Sequence, residues 1–401
     1  MHVFPVQLPP GAPDQNLVLV RSARVLTMSS PWGTIDHGGV LVTLGQKSYP
    51  VVKKIGRAAD LAARHDVPII DCHKAWLIPG LINGHTHLEL SHLAGQPDAH
   101  KGFTAWAESL FALMQAPARE EAIAHALSQL YQTGTVLAAD MGGHNAPLVA
   151  SIMERDSLVD VLFMIQRMGF AKPKDESLRP YAFARDLVDR YLPGGRFAYA
   201  GHALYSTHPR ILQLTKAWCE EHNLPFALHL AESLDEVELM RDGTGPLAAV
   251  LGKSGLLPSW FVPSGMTPVA CAHKLGLLGP TTLAVHCVHV NDRDVELLAS
   301  TGTSVCLCPR SNVYIGVGTP PVASMRQAGI RLCLGTDGLS SNNDLDLARE
   351  MDAVLNVDPG LDLEGVLRMA TRNAAAILGV DAQYGTIEPG KRACLAMLER
   401  E

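Results

Sequence analysis

From Leu77 onward the chain alternates short apolar runs with longer amphipathic stretches. Eight runs stand out: Leu77–His87, Thr135–Asp140, Val159–Arg167, Phe197–His202, Pro225–His229, Thr282–His286, Thr303–Cys308 and Arg331–Asp337. They are nearly continuous in apolar residues, the pattern of strands buried on both faces. Between them, Ala118–Gln132, Pro180–Tyr191, Pro209–His222, Asp292–Ser300 and Pro320–Ala328 fit the helical template. Strand–helix alternation repeated eight times predicts a (β/α)8 TIM-type barrel. A doubly wound open sheet would normally show a Gly-rich phosphate turn after its first strand, and none is present.

The first 76 residues read differently. Val18-Leu19-Val20, Arg24–Thr27 and Gly39–Val42 are short apolar runs between turn residues, and only Ala58–Ala63 has a helical period. After the eighth run come two helix-like stretches, Asp344–Leu355 and Leu363–Leu378, then a turn and a last strand near Leu398. That strand is expected to return to the N-terminal sheet. The expected organisation is a small β-sandwich domain built from residues 1–76 and 380–401, with the barrel spanning 77–379.

Composition narrows the class. The 401 residues are 47% hydrophobic and 18% charged, which suits a large globular α/β chain. A net charge of −7 gives no reason to expect nucleic acid or anionic membrane as a partner. The locally basic stretch Lys47–Arg64 reads as a solvated surface. The N-terminus lacks the pattern of a signal peptide, and no apolar run approaches the ~20 residues of a membrane span. Eight cysteines are scattered without a C-x-x-C spacing, and several fall inside the apolar runs. They read as reduced core thiols, and the expected location is the cytoplasm.

The chemistry gathers at the ends of the runs. His85 and His87 are one residue apart, so both side chains leave the same face of a strand. Neutral imidazoles that converge on one point suit a zinc-class metal ion. His202, His229, His286 and Asp337 end the fourth, fifth, sixth and eighth runs. In a barrel, strand C-termini converge on one site. Six metal- or proton-competent side chains at positions usually apolar therefore mark that end as the functional one. Glu232 follows His229 by three residues and could shuttle protons beside an activated water, or merely serve a helix N-terminus.

Several blocks together resemble the amidohydrolase superfamily, in its branch of deaminases and chlorohydrolases. They are Asn83-Gly84-His85-Thr86-His87, His229-x-x-Glu232, His286, Cys308-Pro309-Arg310-Ser311-Asn312, Gly335–Asn342 and the C-terminal Gly385–Lys391. One departure is Cys394, where the family commonly has Asp. Within the branch, His85–Ser91 and Cys308–Asn312 are most similar to the 6-aminodeoxyfutalosine deaminases of the menaquinone pathway. The resemblance implies one divalent metal ion on His85, His87, His229 and Asp337. Zinc comes first, with iron or manganese as substitutes. It implies Glu232, His286 and Asp337 as catalytic groups, a purine-like nucleoside as substrate, and a homodimer by analogy. His202, Glu89 and Trp106 are candidates to line the substrate, and Arg310 to meet a carboxylate on it.

Four other readings compete. A two-metal cyclic amidase would carry a bridging lysine near the fourth strand end, and Phe197–Thr207 contains none. Deamination of another adenosine-type nucleoside would use the same groups. A triazine chlorohydrolase would keep the ligands and change the leaving group. A non-catalytic scaffold should have lost ligands, and every expected ligand is present.

Overall fold

The computed structural model describes residues 1–11, 16–45, 49–156, 159–173, 178–259 and 261–399. Lys47, at the head of the basic stretch, and the last two residues of the C-terminal segment lie outside them. Eight parallel strands form one sheet in strict chain order: Leu81–Thr86, Thr135–Asp140, Asp160–Arg167, Phe197–Gly201, Phe226–Leu230, Thr282–His286, Ser304–Leu307 and Leu332–Leu334. The sheet is the expected (β/α)8 barrel, with helices between successive strands. Its fully buried side chains include Tyr199, Phe163, Phe197, Phe226, Leu81 and Ile82. Parallel strands covered on both sides have no solvent face, which is why their sequences do not alternate.

The run expected as one strand from Leu77 to His87 is two. Trp76–Pro79 belongs to a separate five-stranded sheet, where it pairs with Leu395–Glu399 and Arg24–Leu26. The chain then crosses into the barrel at Gly80, where a Cβ would lie 2.3 Å from Val136 Cγ1. Only a residue without a side chain lets the backbone pass that close. The five-stranded sheet also takes His2–Pro5, beside Leu395–Glu399. It therefore draws on both chain ends. A four-stranded sheet of Val51–Arg57, Gly38–Thr43, Leu17–Arg21 and Ile69–Asp71 faces it. Val18, Val20, Val40 and Val42 of one share a core with Val25, Leu77 and Leu395 of the other, as in a sandwich.

Barrel closure is unlike the rest of the sheet. Adjacent strands from first to eighth are joined by parallel ladders, with register shifts between the first and second, but no ladder among the described residues joins the eighth to the first. That seam is bridged by the Asp337 amide donating to His85 O (3.1 Å) and by Asn83. The Asn83 carboxamide accepts the amides of His85 and Thr336 (both 3.2 Å) and donates to Thr336 Oγ1 (2.7 Å). Two glycines let the strands meet. A Cβ on Gly335 would sit 2.7 Å from His85 Cβ, and one on Gly84 would sit 2.9 Å from Cys333 Sγ. No helix among the described residues is long and apolar enough to cross a membrane.

Gly335→Ala is expected to cost about 1–3 kcal/mol by overpacking the seam. Urea unfolding should show a lower midpoint at an unchanged slope. A midpoint equal to that of the parent would mean that the seam has room to yield.

Candidate active site

The seam carries the two side chains on which the site is built. His85 Nε2 lies 3.2 Å from Asp337 Oδ1, and His87 Nε2 lies 3.4 Å from the same oxygen. His229 enters from the fifth strand, its ring centroid 4.9 Å from that of His85 and 5.6 Å from that of His87. His286, ending the sixth strand, is 5.5 Å from His229, and His202, after the fourth, is 5.1 Å. The ligand atoms of His85, His87 and His229 lie within 4.8 Å of one another, as do those of His85, His286 and Asp337.

The backbone is unusual here. Ala231, His286, Cys287 and Asp337 all have positive φ, between 47° and 74°. Non-glycine residues in this left-handed region are strained, and such strain clusters at functional sites. The turns redirect the chain at the strand tips and swing the polar side chains inward.

Hydrogen bonds fix the imidazoles. His87 Nδ1 faces Met141 O at 3.2 Å and His229 Nδ1 faces His202 O at 3.1 Å. A carbonyl can only accept, so each Nδ1 carries the proton and each Nε2 keeps a lone pair toward the centre. His286 Nδ1 is 2.9 Å from Asn312 Oδ1, which orients that ring the same way. Asp337 Oδ2 accepts the hydroxyls of Ser311 (2.8 Å) and Ser341 (2.6 Å).

Burial sets the charge states. It pushes His85 down to about 4 and His202 to about 3, and it holds His87, His229 and His286 below the usual imidazole value. For Asp337 burial works upward, but the bond with His85 and the neighbouring imidazoles prevail and hold the carboxyl well below its normal range. Glu232 goes the other way. Burial, reinforced by the Asp337 charge, raises its carboxyl well above normal, with Oε1 3.6 Å from His286 Nε2. Burial thus favours uncharged imidazoles and a protonated Glu232, and the surrounding imidazoles favour an ionised Asp337. Three inward nitrogens with free lone pairs and a carboxylate form the donor set of a catalytic divalent metal, and the residues fit one. His85 Nδ1, buried without a partner, leaves that ring only its Nε2 face engaged.

These groups floor a cavity of about 560 Å³. His87, His202, His229, Glu232, His286 and Asp337 line its base, and Phe103, Trp106, Phe111, Phe170, Tyr205 and Leu247 contribute apolar walls. Glu89 lines it too, 7% exposed, with Oε2 accepting the Asn145 amide at 2.7 Å. Trp106 sits on the helix Phe103–Leu113, its indole N–H donating to Ser340 O at 3.0 Å. That helix is tied down again by Thr104 Oγ1, 2.5 Å from Asp235 Oδ2.

Nine of the ten residues singled out in the sequence come together here. Arg310 does not. Its guanidinium forms a bidentate pair with Asp344 (2.5 and 2.8 Å), and it is not among the residues lining the cavity. The structure thus does not bring it to the cavity with the other nine: two of its five N–H groups are held by Asp344, away from the lining. His289 is also occupied, with Nε2 2.8 Å from Val317 O. Sequence reasoning missed Ser311, Asn312 and Ser341, which orient Asp337 and His286. They stand inside the blocks Cys308–Asn312 and Gly335–Asn342, but nothing in those blocks says what each side chain touches.

The sequence profile of the amidohydrolase family matches residues 76–400. The 5-methylthioadenosine/S-adenosylhomocysteine deaminase of Syntrophobacter fumaroxidans is 30% identical over 406 residues, covering 97% of this chain and 86% of that one. Its counterpart in Symbiobacterium thermophilum is 30% identical over 405 residues, covering 96% and 85%. Among solved structures, an aminofutalosine deaminase from Helicobacter pylori in complex with methylthio-coformycin superposes with a TM-score of 0.78 at 21% identity, covering 96% of this chain and 92% of that one. A zinc-bound adenosine deaminase from Xanthomonas campestris gives 0.75 at 24%, covering 94% and 83%. A zinc-complexed atrazine chlorohydrolase from Arthrobacter aurescens gives 0.73 at 20%, covering 94% and 86%. At these identities the structural likenesses speak to the fold.

Arg310→Ala is expected to lower stability by about 1–2 kcal/mol, since Asp344 loses its bidentate partner and keeps Arg349 and the Asp346 amide, while Glu350 keeps the residue-310 amide and Asn342. KM for the best substrate should stay within about twofold, because no binding contact is lost. A large rise in KM at unchanged stability would restore Arg310 to the substrate site.

Proposed function

From the premise that the chain belongs to the amidohydrolase family, in its deaminase/chlorohydrolase branch, we propose that it is a metal-dependent aminohydrolase of a purine-like nucleoside, and that the nucleoside is 6-aminodeoxyfutalosine. We assign His85, His87, His229 and Asp337 as ligands of one ion, zinc in the first instance, with iron or manganese able to use the same donors. When bound, such an ion supplies a water that ionises near neutral pH. His286 Nε2, with Asp337 beside it, would take the proton that this water gives up. Glu232 would give its own proton to the ring nitrogen beside the amino-bearing carbon, so that negative charge does not build up on the ring. The proton held at His286 would then pass to the departing amine, which leaves as ammonia, and the proton of the hydroxyl added to the ring carbon would pass to Glu232 as the carbonyl forms, restoring the acid.

The observation that carries this reading is the placement of the Glu232 carboxyl, buried and with Oε1 3.6 Å from His286 Nε2, beside the donor cluster. A buried acid that protonates the ring nitrogen serves either leaving group, and deamination is favoured over dechlorination by the relatives named as nucleoside deaminases. His202, Glu89 and Trp106 line the cavity as substrate contacts. Trp106 offers a ring face held in place through its N–H, Glu89 an acceptor for sugar hydroxyls, and His202 a neutral imidazole whose Nδ1 is 2.5 Å from Ser206 Oγ. The aromatic walls beyond them suit an aryl arm on the nucleoside.

A second substrate is favoured by one specific feature. No Lys or Arg is among the described residues lining the cavity, so a substrate carboxylate would have to stay at the open rim. A nucleoside with an uncharged arm, such as 5-methylthioadenosine, avoids that demand.

Ammonia release by zinc-loaded protein should be measured on 6-aminodeoxyfutalosine, 5-methylthioadenosine, S-adenosylhomocysteine, adenosine, guanine, cytosine and a chlorotriazine. The expected result is preference for 6-aminodeoxyfutalosine, with kcat reduced ~10²- to 10⁴-fold in Glu232→Gln. Preference for the methylthio nucleoside would keep the mechanism and replace the substrate. Chloride release from the triazine without ammonia release elsewhere would sink the deaminase reading.

A further inference from the structure

The segment from the fifth strand to its helix contains a buried carboxyl with no part in the chemistry above. The strand ends at Leu230, Ala231 turns through φ +52°, Glu232 follows, and Ser233 caps the helix Leu234–Asp242. Ser233 Oγ accepts the amide of Glu236 at 3.1 Å. In an ordinary capping box the third helical residue returns its carboxyl to the amide of the cap residue itself. Glu236 reaches one residue further back, and its Oε2 accepts the amide of Glu232 at 2.8 Å. Both residues are buried, Glu236 at 1% exposure and Glu232 at 5%.

We propose that Glu236 is a positioning residue that aims Glu232 at the reacting ring by holding the Glu232 peptide. The inference rests on the assignment of Glu232 as the proton donor. A left-handed alanine costs about 1–2 kcal/mol, so the turn at Ala231 needs an external hold. The displaced cap supplies one at the peptide from which the acid side chain springs. On the far side, His286 is fixed by Asn312 and by its own left-handed turn. The 3.6 Å separation between Glu232 Oε1 and His286 Nε2 is therefore set by two independently anchored turns. Removing the acceptor leaves a buried amide unpaired and frees the turn to relax, and small displacements of a reacting group are costly in rate. A helix cap alone would affect only stability.

The test uses Glu236→Ala and Glu236→Gln, each alone and combined with Glu232→Gln, on the full metal-loaded chain with its best substrate. Glu236→Ala should lower kcat roughly 10- to 100-fold with KM nearly constant. Glu236→Gln keeps an oxygen acceptor and should recover most of that loss. In the Glu232→Gln background, Glu236→Ala should change kcat less than about twofold, because the residue acts through Glu232. Hydrogen exchange at the Glu232 amide, measured without substrate, should accelerate in Glu236→Ala. Multiplying losses in the double variant, a KM effect alone, an equal loss in Glu236→Gln, or unchanged amide exchange would each overturn the proposal. Full activity in Glu232→Gln would instead remove the donor assignment, and the exchange measurement would still decide whether Glu236 anchors the turn.

Discussion

The rest of this molecule depends on how its barrel closes. Seven junctions are parallel ladders. The eighth shows no ladder among the described residues and is held by the Asn83 side chain, by the Thr86 hydroxyl donating to Asp337 O and by the backbone hydrogen bond from Asp337 N–H to His85 O. Gly84 and Gly335 make the approach possible. Because His85 and Asp337 flank that junction, closing the barrel and assembling the centre are a single event. The Nε2–Oδ1 separation of 3.2 Å follows from strand packing, not from any flexible loop.

The same packing governs the charges. Burying five imidazoles, an aspartate and a glutamate within a few ångströms would be ruinous if all were ionised. Dehydration disfavours charge on the imidazoles and on Glu232, while the surrounding imidazoles favour it on the Asp337 carboxylate. That carboxylate is the best supported group in the site, with Ser311 and Ser341 donating to one oxygen and His85 beside the other. Neutral nitrogens facing one anion attract a cation. The acid nearby remains ready to give its proton away.

Much of this was legible in the sequence, and the reason is burial. Strands covered on both faces leave long apolar runs, and polar residues at their ends stand out against that background. The split at Gly80 could not be read, because it depends on Val136, 56 positions away. The helix carrying Trp106 gave no start signal, since no side chain caps it and Gly102 precedes it. Arg310 could not be placed, because a guanidinium after a barrel strand suits a ligand just as well as it suits Asp344, and only the folded chain shows which it meets. Glu236 was the opposite case. Ser233-x-x-Glu236 is a visible capping pattern, but its shift by one residue onto the Glu232 amide is a matter of three-dimensional geometry.

The seam glycines lie against sulfur. Gly84 and Gly335 face Cys306 Sγ at 3.2 and 2.9 Å from where a Cβ would stand. Burial holds the Cys306 thiol far above its usual pKa, and it raises Cys308 to about 11. Oxidants attack thiolates, so these sulfurs are silent while they stay enclosed. The contacts that shut the barrel at Gly84 and Gly335 are thus the same ones that enclose the Cys306 sulfur, so an oxidant's access to it is tied to the packing of the eighth strand against the first.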